Sequence, residues 1–276
     1  MTLADRARRG GPRRALILAL GSVLGSACGA SAVDLAEVRQ RGALRALAVI
    51  VEEEPEFLSL KPGGPPGFDH EVLDGFVRLH KLRLEVVPVT GWDELVPALL
   101  KGKGDLIAGR FTVTEPRRKR IDFTAEVFPT RNVVMTRKPR PVVGTVEALR
   151  AEKVGVVKGT SMTDMLAAAG VPPAHVDDQI PSGGTLAALK SGRITCTVDE
   201  VAGAIMSQRR DPDLQIGLFL GPPGSYAYGV RKDDAALLAA LSEYVENLRR
   251  TTTWNRLVVK YFGASAPEIL KKARTE

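Results

Sequence analysis

The chain has 276 residues, 44% hydrophobic and 26% charged, with two cysteines and three histidines, which is ordinary for a globular protein with room for two separately cored halves. Its formal charge is +7, but residues 1–32 hold five Arg and one Asp and carry +4 of it, leaving +3 for the rest. So small a surplus, without a basic stripe interleaved with aromatics, argues against a nucleic-acid partner.

Residues 1–32 read as a secretory leader. Arg6 to Arg14 form a charged start, and residues 15–24 an apolar run too short to span a bilayer comfortably. Ala30-Ser31-Ala32 offers a small-residue cleavage site before Val33. Leu24-Gly25-Ser26-Ala27-Cys28 is an alternative, lipoprotein-like site, with Gly25 where Leu, Val or Ile is usual. Either reading predicts a periplasmic or extracytoplasmic protein. A chain starting at Val33 keeps only Cys196, so it forms no internal disulfide. Cys196 lies in an apolar-leaning run and reads as a small buried thiol. His70, His80 and His175 are scattered without ligand spacing, so neither a metal nor another cofactor is expected.

From residue 44 the pattern predicts strand 44–51, a Pro- and Gly-rich loop at 61–67, helix 71–79, strand 82–89, helix 93–100 and a strand from 105. It then restarts: helix 142–151, strand 153–157, helix 161–169 stopped by Gly170 and Pro172-Pro173, helix 185–190, strand 194–198 and helix 201–209. A strand at 226–230 and helices at 234–249 and 254–261 follow. Such alternation predicts an α/β protein of two lobes, each a mostly parallel sheet flanked by helices. Lobe 1 is expected at 33–136 plus 229–276 and lobe 2 at 137–228, joined by two hinge crossings near 133–138 and 228–232. A ligand cleft is expected between them.

Three segments suit the two ends of a zwitterion. In Thr112-Val113-Thr114-Glu115-Pro116-Arg117, the arginine offers a planar fork of donors to a carboxylate. Gly159-Thr160-Ser161 opens a predicted helix and adds hydroxyls and backbone N–H groups. Asp199 ends a strand-like run and can accept an ammonium, or can cap the following helix.

Further residues carry a resemblance to a known family. Gly67-Phe68-Asp69, Trp92-Asp93-Glu94-Leu95-Val96-Pro97-Ala98-Leu99, Lys103-Gly104-Asp105, the Thr112–Arg117 motif followed by Ile121-Asp122-Phe123-Thr124, residues 154–161, Gly192-Arg193 leading to Asp199-Glu200-Val201-Ala202, and Lys260-Tyr261-Phe262-Gly263 fall in order along the chain. Together they resemble the family 3 extracellular solute-binding proteins, the amino acid receptors of ABC importers, from about residue 42 to 263. The resemblance implies a two-lobed periplasmic-binding-protein fold of type II, a small-molecule ligand, a membrane permease as partner and a monomeric, non-catalytic chain. It implies that Arg117 and Thr112 grip the ligand carboxylate, that Thr160 and Ser161 close on it, and that Asp199 takes the ammonium. Trp92 falls where the family stacks an aromatic on the ligand; packing on its own lobe is the alternative.

Two departures bear on specificity. Glu54 stands before Pro55-Glu56-Phe57, where the family often has an aromatic; it either faces the cleft or belongs to a solvated acidic loop. Arg110 replaces a small hydroxyl residue, and it can bind a second carboxylate, pair with Glu54 or block the pocket. Two other functions fit the same scaffold: a stand-alone ligand sensor, and a cyclohexadienyl dehydratase-like enzyme with Glu54 as general acid.

Overall fold

The structure, a computed structural model, describes residues 35–52, 54–264 and 266–275. The expected leader, its cleavage site and Cys28 lie outside the described residues. The chain runs α1 (Leu35–Arg41), β1 (Ala43–Ala48), α2 (Phe68–Leu79), β2 (Arg83–Pro88), α3 (Leu95–Leu100), β3 (Leu106–Ile107), α4 (Glu115–Arg118) and β4 (Asp122–Phe123). A second set follows: β5 (Phe128–Arg137), α5 (Val146–Arg150), β6 (Val154–Val157), α6 (Met162–Ala168), a 3-10 turn (Pro173–His175), β7 (Val176–Ile180), α7 (Thr185–Ser191), β8 (Cys196–Glu200), α8 (Val201–Arg210) and β9 (Leu214–Tyr226). Then come β10 (Gly229–Val230), α9 (Ala235–Arg249), α10 (Thr252–Phe262) and α11 (Ala266–Thr275).

Two five-stranded sheets result, ordered β2-β1-β3-β10-β4 and β7-β6-β8-β5-β9. In each, three strands pair in parallel and a fourth runs against both its neighbours. The opposed strand is the one that arrives from the other sheet, β5 after β4 and β10 after β9. Both sheets are therefore mixed, with four strands in one direction and one reversed. The parallel strand β1 is covered on both faces, which is why Ala43-Leu44-Arg45-Ala46-Leu47-Ala48 is nearly all apolar. Helix α2 buries Phe68, Val72, Leu73, Phe76 and Val77 along one stripe. Helix α5 begins later than the expected 142–151 because Thr145 caps it, its Oγ1 accepting the Ala148 N–H at 3.2 Å.

Three stretches differ from the sequence expectation. Residues 133–137, expected as the first crossing, pair inside the second sheet with β8 and β9, so the chain changes sheets between Phe123 and Phe128. Strand β9 was not anticipated because Gly221-Pro222-Pro223-Gly224 resembles a turn; β9 is an edge strand, where proline is tolerated. Helix α11 follows α10 in sequence but packs on β5, β9 and α8, so the C-terminal segment spans both sets of elements. At the junction an aromatic cluster forms, with the Phe57 ring centroid 5.7 Å from both Phe128 and Tyr226.

Candidate ligand-binding site

The parallel strands of both sheets end at one cleft with an empty volume of about 600 Å³, part of it open to solvent. This is the usual place for a ligand in α/β sheets. Glu54 follows β1, Trp92 follows β2, and Arg110, Thr112 and Arg117 follow β3. From the second sheet come Thr160 and Ser161 after β6, and Asp199 with Glu200 at the end of β8. All eight residues singled out from sequence line this cleft.

Arg117 is positioned by its short helix. Thr114 caps α4, its Oγ1 accepting the Arg117 N–H at 3.4 Å, and Pro116 fits the first turn. The guanidinium donates to the Thr112 carbonyl at 2.7 Å and lies 4.1 Å from the Phe111 ring centroid. Among the described residues it forms no ion pair with a carboxylate. Burial pulls its pKa down to about 10, only partly offset by Glu200 and Asp164. An arginine does not lose its proton at neutral pH, so this is a charge that burial disfavours and nearby carboxyls only partly balance. An anion in the cleft would complete the balance.

Asp199 and Glu200 face Arg117 from the second sheet. Burial raises the proton affinity of both, Asp199 well above the usual carboxylate range, with Glu54 adding to each shift and Arg110 opposing it. Asp199 Oδ1 accepts the Glu200 N–H at 2.8 Å, and Glu200 Oε1 accepts the Thr112 hydroxyl at 2.8 Å. Helix α8 begins at Val201 without a side-chain cap bond, so Asp199 does not cap it. Thr160 donates its hydroxyl to the Val157 carbonyl at 2.8 Å, while Ser161 precedes α6 without a side-chain cap bond.

Arg110 pairs with Glu54, which settles two of the alternatives left by the sequence: Glu54 faces the cleft, and Arg110 is its partner. Burial opposes the Arg110 charge, but Glu54, Tyr226, Asp199 and Glu200 together outweigh it and raise the pKa. Gly109 and Arg110 both have left-handed backbones, with φ of 80° and 61°. For an arginine that conformation costs roughly 1–2 kcal/mol. Buried Asp69 holds the turn, accepting the Arg110 N–H at 3.3 Å and the Tyr228 hydroxyl at 3.0 Å. Trp92 packs on its own lobe, 8% exposed in an apolar cluster with Val49, Val51 and Leu95, and the residue also lines the cleft.

The two walls also meet outside the pocket. A Cβ on Gly159, whose φ is +75°, would lie 2.6 Å from the Asp93 backbone nitrogen, so the two segments touch. Arg210 of α8 reaches Glu56 at 2.7 Å.

The model for bacterial extracellular solute-binding proteins, family 3, matches residues 47–264. The chain belongs to that family. Its resemblance to a probable histidine-binding protein of Neisseria gonorrhoeae is 25% identity over 265 residues, covering 93% of this chain and 97% of the relative. Membrane-bound lytic murein transglycosylase F of Desulfosudis oleivorans is 25% identical over 237 residues, 84% of this chain and 51% of the relative. The family 3 chain thus spans about half the length of that curated relative. Among solved structures, the P235GK mutant of ArgBP from T. maritima superposes with a TM-score of 0.74 at 27% identity, covering 82% of this chain and 98% of that one. An ancestral arginine-binding protein bound to arginine gives 0.71 at 27% identity, with 81% and 99% covered.

The sequence reading missed part of the family 3 cleft. Glu200 enters the sequence reading only as motif context, Thr185 only as a helix start, and Ser182 and Gly183 do not enter it; all four line the cleft. Ser182-Gly183-Gly184-Thr185 joins β7 to α7 much as Gly159-Thr160-Ser161 joins β6 to α6, a repeated strand-to-helix signal that marks the same rim. Cys196 is fully buried, and burial pushes its thiol up to about 12, so it is no nucleophile.

Proposed function

We propose that this chain is an extracytoplasmic receptor that captures an amino acid or related small carboxylate between two lobes and delivers it to an ABC-type importer. The observation that carries the reading is the half-buried Arg117 guanidinium, without a carboxylate partner among the described residues and lining the same cleft as Asp199 of the other sheet. The ligand carboxylate would meet Arg117, Thr112, Thr160 and Ser161, and its ammonium would meet Asp199, relieving the crowding of that carboxyl. Because these groups come from both sheets, ligand contacts favour the closed arrangement. The lobes are taken as the elements around each sheet, with the chain crossing at 124–127 and again at 227–228. The receptor is read as a monomer without catalysis, carrying a leader at residues 1–32 with Cys28 as an alternative lipid anchor.

The test is a thermal-shift screen of the purified protein against amino acids, dicarboxylates, polyamines and cyclic hydroxy acids, followed by titration of the best ligand. Arg117→Ala and Asp199→Ala are each expected to weaken binding by about tenfold or more, since each leaves one charged end of the enclosed ligand unpaired. Wild-type affinity in both variants would remove the reading. A stand-alone sensor is the second reading, supported by the transglycosylase relatives of which this fold forms only part. The enzyme reading has less support, because Glu54 is engaged with Arg110.

A further inference from the structure

The side-chain end of the cleft has the ingredients of a cation receptor. Trp92 and the carboxylates of Glu54 and Asp199 line it, with the buried Phe57 ring behind, a combination that attracts guanidinium and ammonium groups. The chain places its own cation there. The Arg110 guanidinium lies 5.1 Å from the Phe57 ring centroid and 5.8 Å from that of Trp92, and it pairs with Glu54. Near Gly203 a Cβ would meet Asp199 Oδ2 at 2.7 Å and Arg110 Nη1 at 3.1 Å, so the guanidinium also borders Asp199. Its backbone is fixed in the left-handed conformation by the Asp69 carboxylate, so the side chain is aimed rather than free to swing away.

We propose that Arg110 is a resident cation filling the cationic subsite of this cleft, so that the receptor selects amino acids with uncharged side chains and excludes basic ones. The inference rests on the amino acid reading above. Glu54 is taken by Arg110, and Asp199 stands where the ligand ammonium is needed. Glu200 lies beside Asp199 with Oε1 held by the Thr112 hydroxyl. A basic ligand side chain would have to displace Arg110 or lie against it, and like charges in contact are a recognised means of rejecting a ligand. An uncharged side chain meets a neutral Glu54–Arg110 pair instead.

The experiment is calorimetric titration of the wild-type protein, Arg110→Ala and the charge-free double variant Glu54→Gln/Arg110→Gln with L-alanine, L-glutamine, L-lysine and L-arginine. Glutamine and arginine are similar in reach and differ in charge. The wild type is expected to bind L-glutamine or L-alanine at least about tenfold more tightly than L-arginine, and Arg110→Ala to lose that preference or reverse it. The double variant should admit both classes without strong preference. It also guards against misfolding of Arg110→Ala, which leaves Glu54 buried alone. Wild-type protein that binds L-arginine or L-lysine as tightly as L-glutamine overturns the inference and leaves the receptor reading standing. Binding of none of the four by any of the three proteins overturns the inference, and the receptor reading then stands or falls on the wider thermal-shift screen.

Discussion

Asp69 does not line the cleft, yet it sets the direction of Arg110. One carboxylate oxygen takes the Arg110 N–H and the other the Tyr228 hydroxyl, inside a site where Asp69 is only 4% exposed. Burial pushes this carboxyl up from 3.8 to about 6, against the opposing pull of Tyr228 and Arg110. The unfolded chain releases the proton near pH 4, whereas the folded chain keeps it to about pH 6. Folding stability contributed by Asp69 is therefore full below pH 4 and is lost as pH rises towards 6. In Asp69→Asn, urea melts across that window should show a smaller fall in stability, by up to about 3 kcal/mol. An unchanged slope would mean that Asp69 titrates normally and is not the buried acid described. The sequence showed this aspartate only as part of Gly67-Phe68-Asp69; its tie to residue 110 is a long-range contact that no local pattern reveals.

Helix α4 is four residues long, too short to persist without support. Thr114 is that support, and Arg117 depends on it. Thr114→Ala should weaken ligand binding by roughly twofold to fivefold while lowering stability by at most about 1 kcal/mol, since the cap bond is long. A titration that finds affinity unchanged would show that Phe111 and the Thr112 carbonyl hold the guanidinium alone. At this scale the sequence was informative wherever apolar spacing or capping was strong. Helices at 71–79, 93–100 and 185–190 and the Thr112–Arg117 segment were legible, and so were eight of the residues lining the cleft: Arg117, Thr160, Ser161 and Asp199 from their own chemistry, Trp92, Glu54 and Arg110 through the family resemblance, and Thr112 through both. Strands β5 and β9 were not legible. Arg131-Asn132 breaks the apolar run of β5, and paired glycines and prolines disguise β9 as a turn. Helix α11 was missed because its described core contribution is little more than Ala266 and Leu270.

In the whole molecule, the two sheets touch at Gly159 against Asp93, at Arg210 with Glu56 and at Glu200 with Thr112. Gly159 tolerates no side chain there: its φ is positive, and an added Cβ would strike the Asp93 backbone. Gly159→Ala should hold the walls apart. Small-angle scattering with saturating ligand is expected to show less compaction than wild type, with affinity down by about tenfold. Wild-type compaction in the variant would mean that this contact plays no part in closing the cleft. Which surfaces meet in this way was beyond the sequence, since Asp93 and Gly159 follow strands of different sheets and neither carries a pairing signal.

The placement of the two tryptophans has a consequence of another kind. The chain holds only Trp92 and Trp254. Trp92 forms part of the cleft wall. The Trp254 indole donates to the Val127 carbonyl at 3.2 Å and packs beside Phe128, where the backbone passes from one sheet to the other. The protein thus contains two intrinsic fluorophores, one in the cleft wall and one where the chain crosses between the sheets. With either exchanged for phenylalanine, the emission of the other reports on its own surroundings, so under the proposed function occupancy of the cleft and movement at the crossing would be timed separately in unlabelled protein.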